Sequence, residues 1–216
     1  MTKEEVFVYN KHVPKLPLDK PYYFGVTGLN HGHIWGMVSG LIAAGATMTH
    51  IYEPDSSLLA PFLKKYPGLT VCESLEELLA VPELELIATA AVPSERAGIE
   101  IAAMRAGKDA FADKAPVTSL EQLEEVKAVA NETGKKLFVY YGEYVNNEAA
   151  LFAKQVIDRG IIGEVAHIDI FAPHSLNAPS RPAWFFERDK TSGIDEQEQN
   201  GVTVPSNAPM IFAPIP

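Results

Sequence analysis

From Tyr22 to Tyr141, short apolar runs alternate with helical patterns, and this alternation constrains the fold more than any other feature of the chain. Tyr22–Thr27, Thr47–Tyr52, Leu69–Cys72, Leu84–Ala91, Asp109–Asp113 and Lys136–Tyr141 read as strands. His33–Ala44 reads as a helix closed by Gly45. A second helix is capped by Asp55, reaches Tyr66 and ends at Pro67-Gly68. Ser74-Leu75-Glu76-Glu77 has capping-box spacing and opens a helix to Ala80. Pro93–Ala106 is a helix ended by Gly107, and Thr118-Ser119-Leu120-Glu121 opens another that runs to Gly134. Strands that each feed a helix pair in parallel through crossovers. The expected class is therefore α/β: a doubly wound, parallel Rossmann-type sheet over residues 21–141.

The flanks read differently. Residues 1–20 carry Pro14 and Pro17 and form an extended arm. After Gly142 a helix over Asn147–Arg159 precedes a strand-like Val165–Phe171 and a loop rich in proline and aromatics. Residues 142–194 are thus expected to begin an incomplete α+β second domain. Residues 195–216 have no usable periodicity and are expected to be poorly ordered.

The formal net charge of −10 over 216 residues argues against nucleic acid and anionic membrane as partners, since both demand a basic face. No apolar run approaches transmembrane length, and the N-terminus has no signal-peptide core. The single cysteine, Cys72, excludes an internal disulfide and suits a reducing compartment. Together these features lead to an expectation of a cytoplasmic protein.

Gly28-Leu29-Asn30-His31-Gly32-His33 lies where the first strand turns into the first helix. A dinucleotide fingerprint places glycines there for a tight turn, for approach to the pyrophosphate and for close helix–strand packing. Gly28 fills the first role. Asn30, which tolerates left-handed backbone, stands in the second, and Gly32 is expected to supply the closeness that His33 cannot. The helix N-terminus would aim its amides at a phosphate. Glu53 follows Gly28 by 25 residues at the tip of the second strand. An acid there accepts hydrogen bonds from ribose hydroxyls and repels a 2′-phosphate, which favours NAD over NADP. His31 and His33 are expected to line this turn and, with Asp113 and Lys114, to belong to the cofactor site; they stand two apart, and no nearby Cys, His or carboxylate at conventional spacing completes a ligand set, so no metal is expected. Cys72, on a short strand, reads as a core residue, and His50 and His167 as packed or surface histidines.

In an open parallel sheet ligands bind at the carboxyl ends of the strands. Ala91-Val92-Pro93 after the fourth strand is small and apolar, so a flat ring can approach it. Asp113 and Lys114 stand at the tip of the fifth. A lysine in a cleft can act in proton transfer when burial lowers its pKa.

These motifs resemble the Gfo/Idh/MocA group of NAD(P)-dependent oxidoreductases, which includes glucose–fructose oxidoreductase and inositol dehydrogenase. The resemblance runs from Tyr22 to Ile194, through "GVTGLNHGHIWGM", Glu53, "AAVPSERA", "DKAPVTSLEQLEEV" and "GEVAHIDIFAPHSLNAPSRPAWFF". Asp113-Lys114-Ala115 is similar to the family's Glu-Lys-Pro motif. The resemblance implies that Lys114 is the catalytic residue reaching nicotinamide and substrate, and that Ala91 and Pro93 line the nicotinamide. Arg96 stands where many members have histidine. His174, Arg181 and Trp184 are implied on the substrate side. The implied reaction is hydride transfer between NAD and a sugar, polyol or related carbohydrate-like small molecule.

Ser192-Gly193-Ile194 matches the family's entry to its catalytic-histidine motif, and "DEQEQNGVT" then replaces that motif. The chain is therefore expected to be a truncated or frame-shifted member. The family implies a homo-oligomer, but through a sheet this sequence does not match, which argues against assembly. Two alternatives stand beside the oxidoreductase: a dinucleotide-binding remnant or regulatory partner without turnover, and a methyltransferase.

Overall fold

The structure, a computed structural model, describes residues 20–142, 148–169, 178–191 and 203–204. The N-terminal arm up to residue 19, most of the tail and His174 lie outside the described residues.

Six strands form one parallel sheet: β1 (Tyr23–Thr27), β2 (Thr47–Tyr52), β3 (Thr70–Val71), β4 (Leu84–Thr89), β5 (Asp109–Asp113) and β6 (Leu137–Tyr140). Their spatial order is β3-β2-β1-β4-β5-β6. The order reverses between β1 and β4, and the crevice outside their carboxyl ends is where a doubly wound sheet takes ligands. Five helices make the crossovers: α1 (Ile34–Ala44), α2 (Ser56–Lys65), α3 (Leu75–Ala80), α4 (Pro93–Arg105) and α5 (Leu120–Thr133).

Local chemistry sets the helix ends. Asp55 accepts from the Ser57 amide at 2.8 Å, and Ser74 accepts from that of Glu77 at 3.1 Å. Satisfying an otherwise orphaned amide in this way stabilises a helix start by about 1 kcal/mol. The start of α5 falls one residue later than the Thr118 box predicts. Ser119 is the cap, accepting from Gln122 N at 3.2 Å, while the Gln122 side chain takes the Thr118 amide at 2.7 Å. Glutamine and glutamate are equivalent in this motif, so the sequence offered two registers.

The strand period of two sorts side chains onto two faces. Phe24 and Val26 join Ile34, Met37, Val38, Ile51 and Phe62 under α1 and α2. On the other face Leu78, Leu84, Ile87 and Ala103 pack under α3 and α4. Gly25 sits on this second face, where a Cβ would come within 2.9 Å of Leu78 and Leu84. Cys72 lies in that core, as its sequence context predicts. An apolar cavity of about 360 Å³, lined by Tyr22, Ala44, Ala46 and Phe138 among others, opens at the amino ends of the strands, away from the crevice.

Beyond β6, α6 (Glu148–Asp158) buries no residue, and Phe152 on it is 48% exposed. Of the strand expected over Val165–Phe171, β7 (Ile168–Asp169) is present, residues 165–167 are not strand, and residues 170–171 lie outside the described residues. It pairs antiparallel with β8 (Thr203–Val204), inside a tail expected to carry no regular structure. The segment 178–191 ends in α7 (Arg188–Thr191), which packs on α4. No helix among the described residues is long and apolar enough to cross a membrane.

Phe62 is fully buried and meets Trp35 and Tyr66 at ring distances of 5.0 and 5.1 Å. Phe62→Ala is expected to cost about 3–5 kcal/mol, read as a lower urea midpoint with an unchanged slope.

Candidate functional site

The glycine turn follows β1 and is bound to the end of β4. Ala90 N donates to Gly28 O at 3.0 Å, and His31 N donates to Ala90 O at 2.9 Å. Gly28 has φ +65°, and a Cβ there would lie 2.5 Å from the Ala91 Cβ. Both the dihedral and the contact demand glycine. Gly32 carries no such demand: it is exposed, and a Cβ on it would meet nothing within 4 Å. The close-approach role expected of Gly32 falls to Gly36, where a Cβ would stand 2.7 Å from the Tyr140 hydroxyl. A glycine inside a helical pattern was the available signal.

Glu53 ends the chain's turn out of β2 with its carboxylate against the glycine turn. One oxygen accepts from Leu29 N at 2.7 Å and the other from Asp55 N at 3.0 Å, leaving the residue 7% exposed. The acid therefore lies beside the turn that the sequence paired it with, and it also fixes that turn's conformation.

At the tip of β5 the structure assembles a cluster that no local motif announces. Asp113 is wholly buried. Its Oδ1 meets His33 Nδ1 at 2.8 Å; its Oδ2 meets His31 Nδ1 at 2.9 Å and Arg96 Nη2 at 3.2 Å. The two imidazoles stand edge to face with centroids 4.2 Å apart, and Tyr140 packs against His33 at 5.7 Å. Burial alone would raise the Asp113 pKa. The hydrogen bonds from His31 and His33, with the Arg96 charge, outweigh it and hold the carboxyl well below the usual carboxylate range.

Arg96 is 1% exposed and binds much of the strand end. Its Nε donates to Ala91 O at 2.7 Å; its Nη1 donates to Asp113 O and Ala115 O, each at 3.1 Å, and to Lys114 O. The Lys114–Ala115 peptide is cis. Thus one guanidinium joins the loop after β4 to the loop after β5, and Lys114, at the β5 tip, stands on a backbone held through its own carbonyl and those of its two neighbours, Asp113 and Ala115. Ala91 and Pro93 are buried beside it, Pro93 as the first residue of α4.

The carboxylate missing from the metal reading is thus Asp113, 80 residues from His33 in sequence. Ligand-type atoms of His31, His33 and Asp113 lie within 4.8 Å of one another. The buried guanidinium on the same carboxylate and the positive end of α1 disfavour a cation there. The remaining candidates lie elsewhere. Arg181 stacks over Phe185 at 4.4 Å and Trp184 packs on the same ring, within the segment carried on α4. His50 bonds Thr49, and His167 pairs with Asp169 on the surface.

Residues 25–141, more than half of the chain, match the Gfo/Idh/MocA family, described as an oxidoreductase family with an NAD-binding Rossmann fold. This chain belongs to that family. A putative oxidoreductase from Erwinia carotovora atroseptica is 38% identical and superposes with a TM-score of 0.76, over 80% of this chain and 52% of its own. The uncharacterised oxidoreductase YdgJ of Escherichia coli is 30% identical over 112 residues, 50% of this chain and 32% of YdgJ. The WlbA dehydrogenase of Bordetella pertussis, solved with NADH and UDP-GlcNAcA, shares the fold at 20% identity and a TM-score of 0.59, over 66% of this chain and 42% of its own. The chain therefore spans about a third to about half of the length of these relatives. Family membership removes the methyltransferase alternative.

α4 also holds Glu100, fully buried, with no hydrogen-bond partner on either carboxylate oxygen among the described residues. Burial pushes its carboxyl up to about 8, against the opposing pull of Arg96. Between its ordinary value of 4.5 and about 8 the folded chain binds a proton that the unfolded chain releases. Stability therefore falls as pH rises across that window. Glu100→Gln is expected to flatten this dependence and to gain on the order of a few kcal/mol at pH 8, measured by denaturant unfolding at pH 5 and pH 8.

Proposed function

We propose that the chain carries the cofactor half of an NAD-dependent oxidoreductase, and that the substrate is a sugar, polyol or related compound with a hydroxyl or carbonyl carbon. The observation that carries this reading is the Gly28 turn, closed on Ala91 where a Cβ would fill the space, with the Glu53 carboxylate beside it. A loop this tight lets backbone approach a diphosphate closely, and α1 directs its positive end to the same place. These residues fit a dinucleotide.

When bound, the nicotinamide supplies the hydride acceptor or donor; in the oxidative direction a substrate C–H bond breaks and the hydroxyl proton departs separately. The protein's own groups do the rest. Glu53 accepts from the adenosine ribose hydroxyls and its charge opposes a 2′-phosphate, which is the ground for NAD rather than NADP. Lys114 Nζ is the group that moves or stabilises the substrate proton. Arg96 keeps that lysine's backbone in register with the Ala91–Pro93 loop, and the buried apolar lining there excludes water from the transfer. Within this reading residues 21–141 form the cofactor domain and residues 142–194 begin a substrate domain, to which Arg181 and Trp184 belong. A reducing, cytoplasmic setting accords with the buried free thiol of Cys72. Family membership, with Lys114 at the β5 tip, favours an enzyme over a binding remnant.

Titration of the purified chain with NADH and with NADPH, followed by nicotinamide fluorescence, is expected to show saturable binding that is at least about tenfold tighter for NADH, equivalent to about 1.4 kcal/mol. Preference for NADPH would overturn the role of Glu53. No binding of either by a folded sample would overturn the cofactor reading.

A further inference from the structure

Asp113 occupies the acidic position of the strand-tip motif, at the end of β5. In this chain it is wholly buried, with His33 on one oxygen and His31 and Arg96 on the other. Its contacts turn inward; the two imidazoles, with side-chain exposures of 21% and 29%, are what the cluster presents outward. An imidazole whose Nδ1 donates to a carboxylate is fixed in one tautomer, with Nε2 on the side of the ring away from the acid.

We propose that Asp113 is a positioning residue, that His31 contacts the cofactor's diphosphate, and that a proton is taken up at this imidazole as the diphosphate binds. The inference rests on the dinucleotide reading above. Three observations carry it. His31 is in the glycine turn itself, with its amide bonded to Ala90 O at the end of β4, so its ring stands beside the site where a phosphate would sit. Its ring is held from beneath by a carboxylate that cannot leave, because Arg96 anchors the same oxygen. The setting favours an anion: the N-terminus of α1 opens here, and Arg96 and Lys114 add positive charge. A diphosphate arriving beside a neutral imidazole favours its charged form, and histidine is the side chain that changes charge near neutral pH.

Among the described residues, the groups around His31 come from several elements. Asp113 belongs to the β5 tip, Arg96, through Asp113, to α4, His33 to the start of α1 and Tyr140, through His33, to β6. Glu53 binds the neighbouring Leu29 amide. Of these, Asp113 supports a positive imidazole and Arg96 opposes one, and an arriving diphosphate adds to the support.

The test is NADH binding from pH 6 to 9 by fluorescence, with proton uptake measured by calorimetry in buffers of different ionisation enthalpy. For the unaltered chain, affinity is expected to fall as pH rises, approaching about tenfold per pH unit where uptake nears one proton. His31→Asn, which keeps a polar side chain but cannot be protonated, is expected to abolish the uptake and flatten the profile. Asp113→Asn is expected to weaken binding, and the double variant should be no weaker than His31→Asn alone, since Asp113 acts through that ring. If Asp113→Asn does not fold, the His31→Asn profile decides alone. NADH binding with equal proton uptake in the unaltered chain and His31→Asn would overturn the proposal and leave the dinucleotide reading standing. So would stoichiometric Zn²⁺ binding lost in His31→Asn, which would make the cluster a cation site. No NADH binding by the folded chain at any pH would remove both.

Discussion

The contact between Arg96 and Asp113 is the one on which the crevice depends. A buried guanidinium facing a buried carboxylate is expensive to create. It persists only where the remaining donors and acceptors are satisfied, because breaking one partner strands the other charge. Here they are satisfied through backbone: the guanidinium collects carbonyls from the loops after β4 and β5, while the carboxylate draws in both histidines of the first turn. Three chain segments that meet only at the carboxyl edge of the sheet are thereby held in one arrangement. The crevice between β1 and β4 has a fixed floor before any ligand arrives, which reduces the ordering cost of binding.

That arrangement gives α4 an unusual interior. Its face toward the sheet carries Arg96 and, one turn on, Glu100, both fully enclosed. The arginine is saturated with acceptors; the glutamate has no donor among the described residues and resolves its burial by holding a proton. The same helix therefore contains a permanently charged group and a titrating one separated by a single turn. The charge of Glu100 is suppressed because the low-dielectric surroundings that strengthen the Arg96–Asp113 contact also penalise a carboxylate without donors.

Much of this was legible in the residues. The six strands and five crossover helices follow from periodicity and from punctuation by glycine, proline and capping residues. Gly28 and Glu53 could be read as partners because both lie on strand tips whose neighbourhood the topology dictates. Other features were not legible. Gly32 looked like the packing glycine because it stood nearest the expected place, whereas Gly36 is the one under Tyr140, a contact from the far edge of the sheet. Arg96 could be seen as a substitution within a motif, but not as the centre of the site. Glu100 had no signal at all, since a glutamate in a helix is ordinarily a solvated face. The short β7–β8 ladder pairs a strand-like stretch with a tail segment that carries no readable periodicity.

The sequence by itself determined the order of elements, their parallel pairing and therefore the crevice at the switch between β1 and β4, because local period and crossover handedness leave few alternatives. It also determined that a glycine must stand at residue 28 and an acid at the next strand tip. Only the tertiary structure decided what occupies the floor of that crevice. His31, Arg96 and Asp113 lie on separate segments, and whether their charges meet depends on distances of a few ångströms set by helix and strand packing. Coulombic and hydrogen-bonding energies change steeply over such distances, and residue spacing along a chain does not encode them.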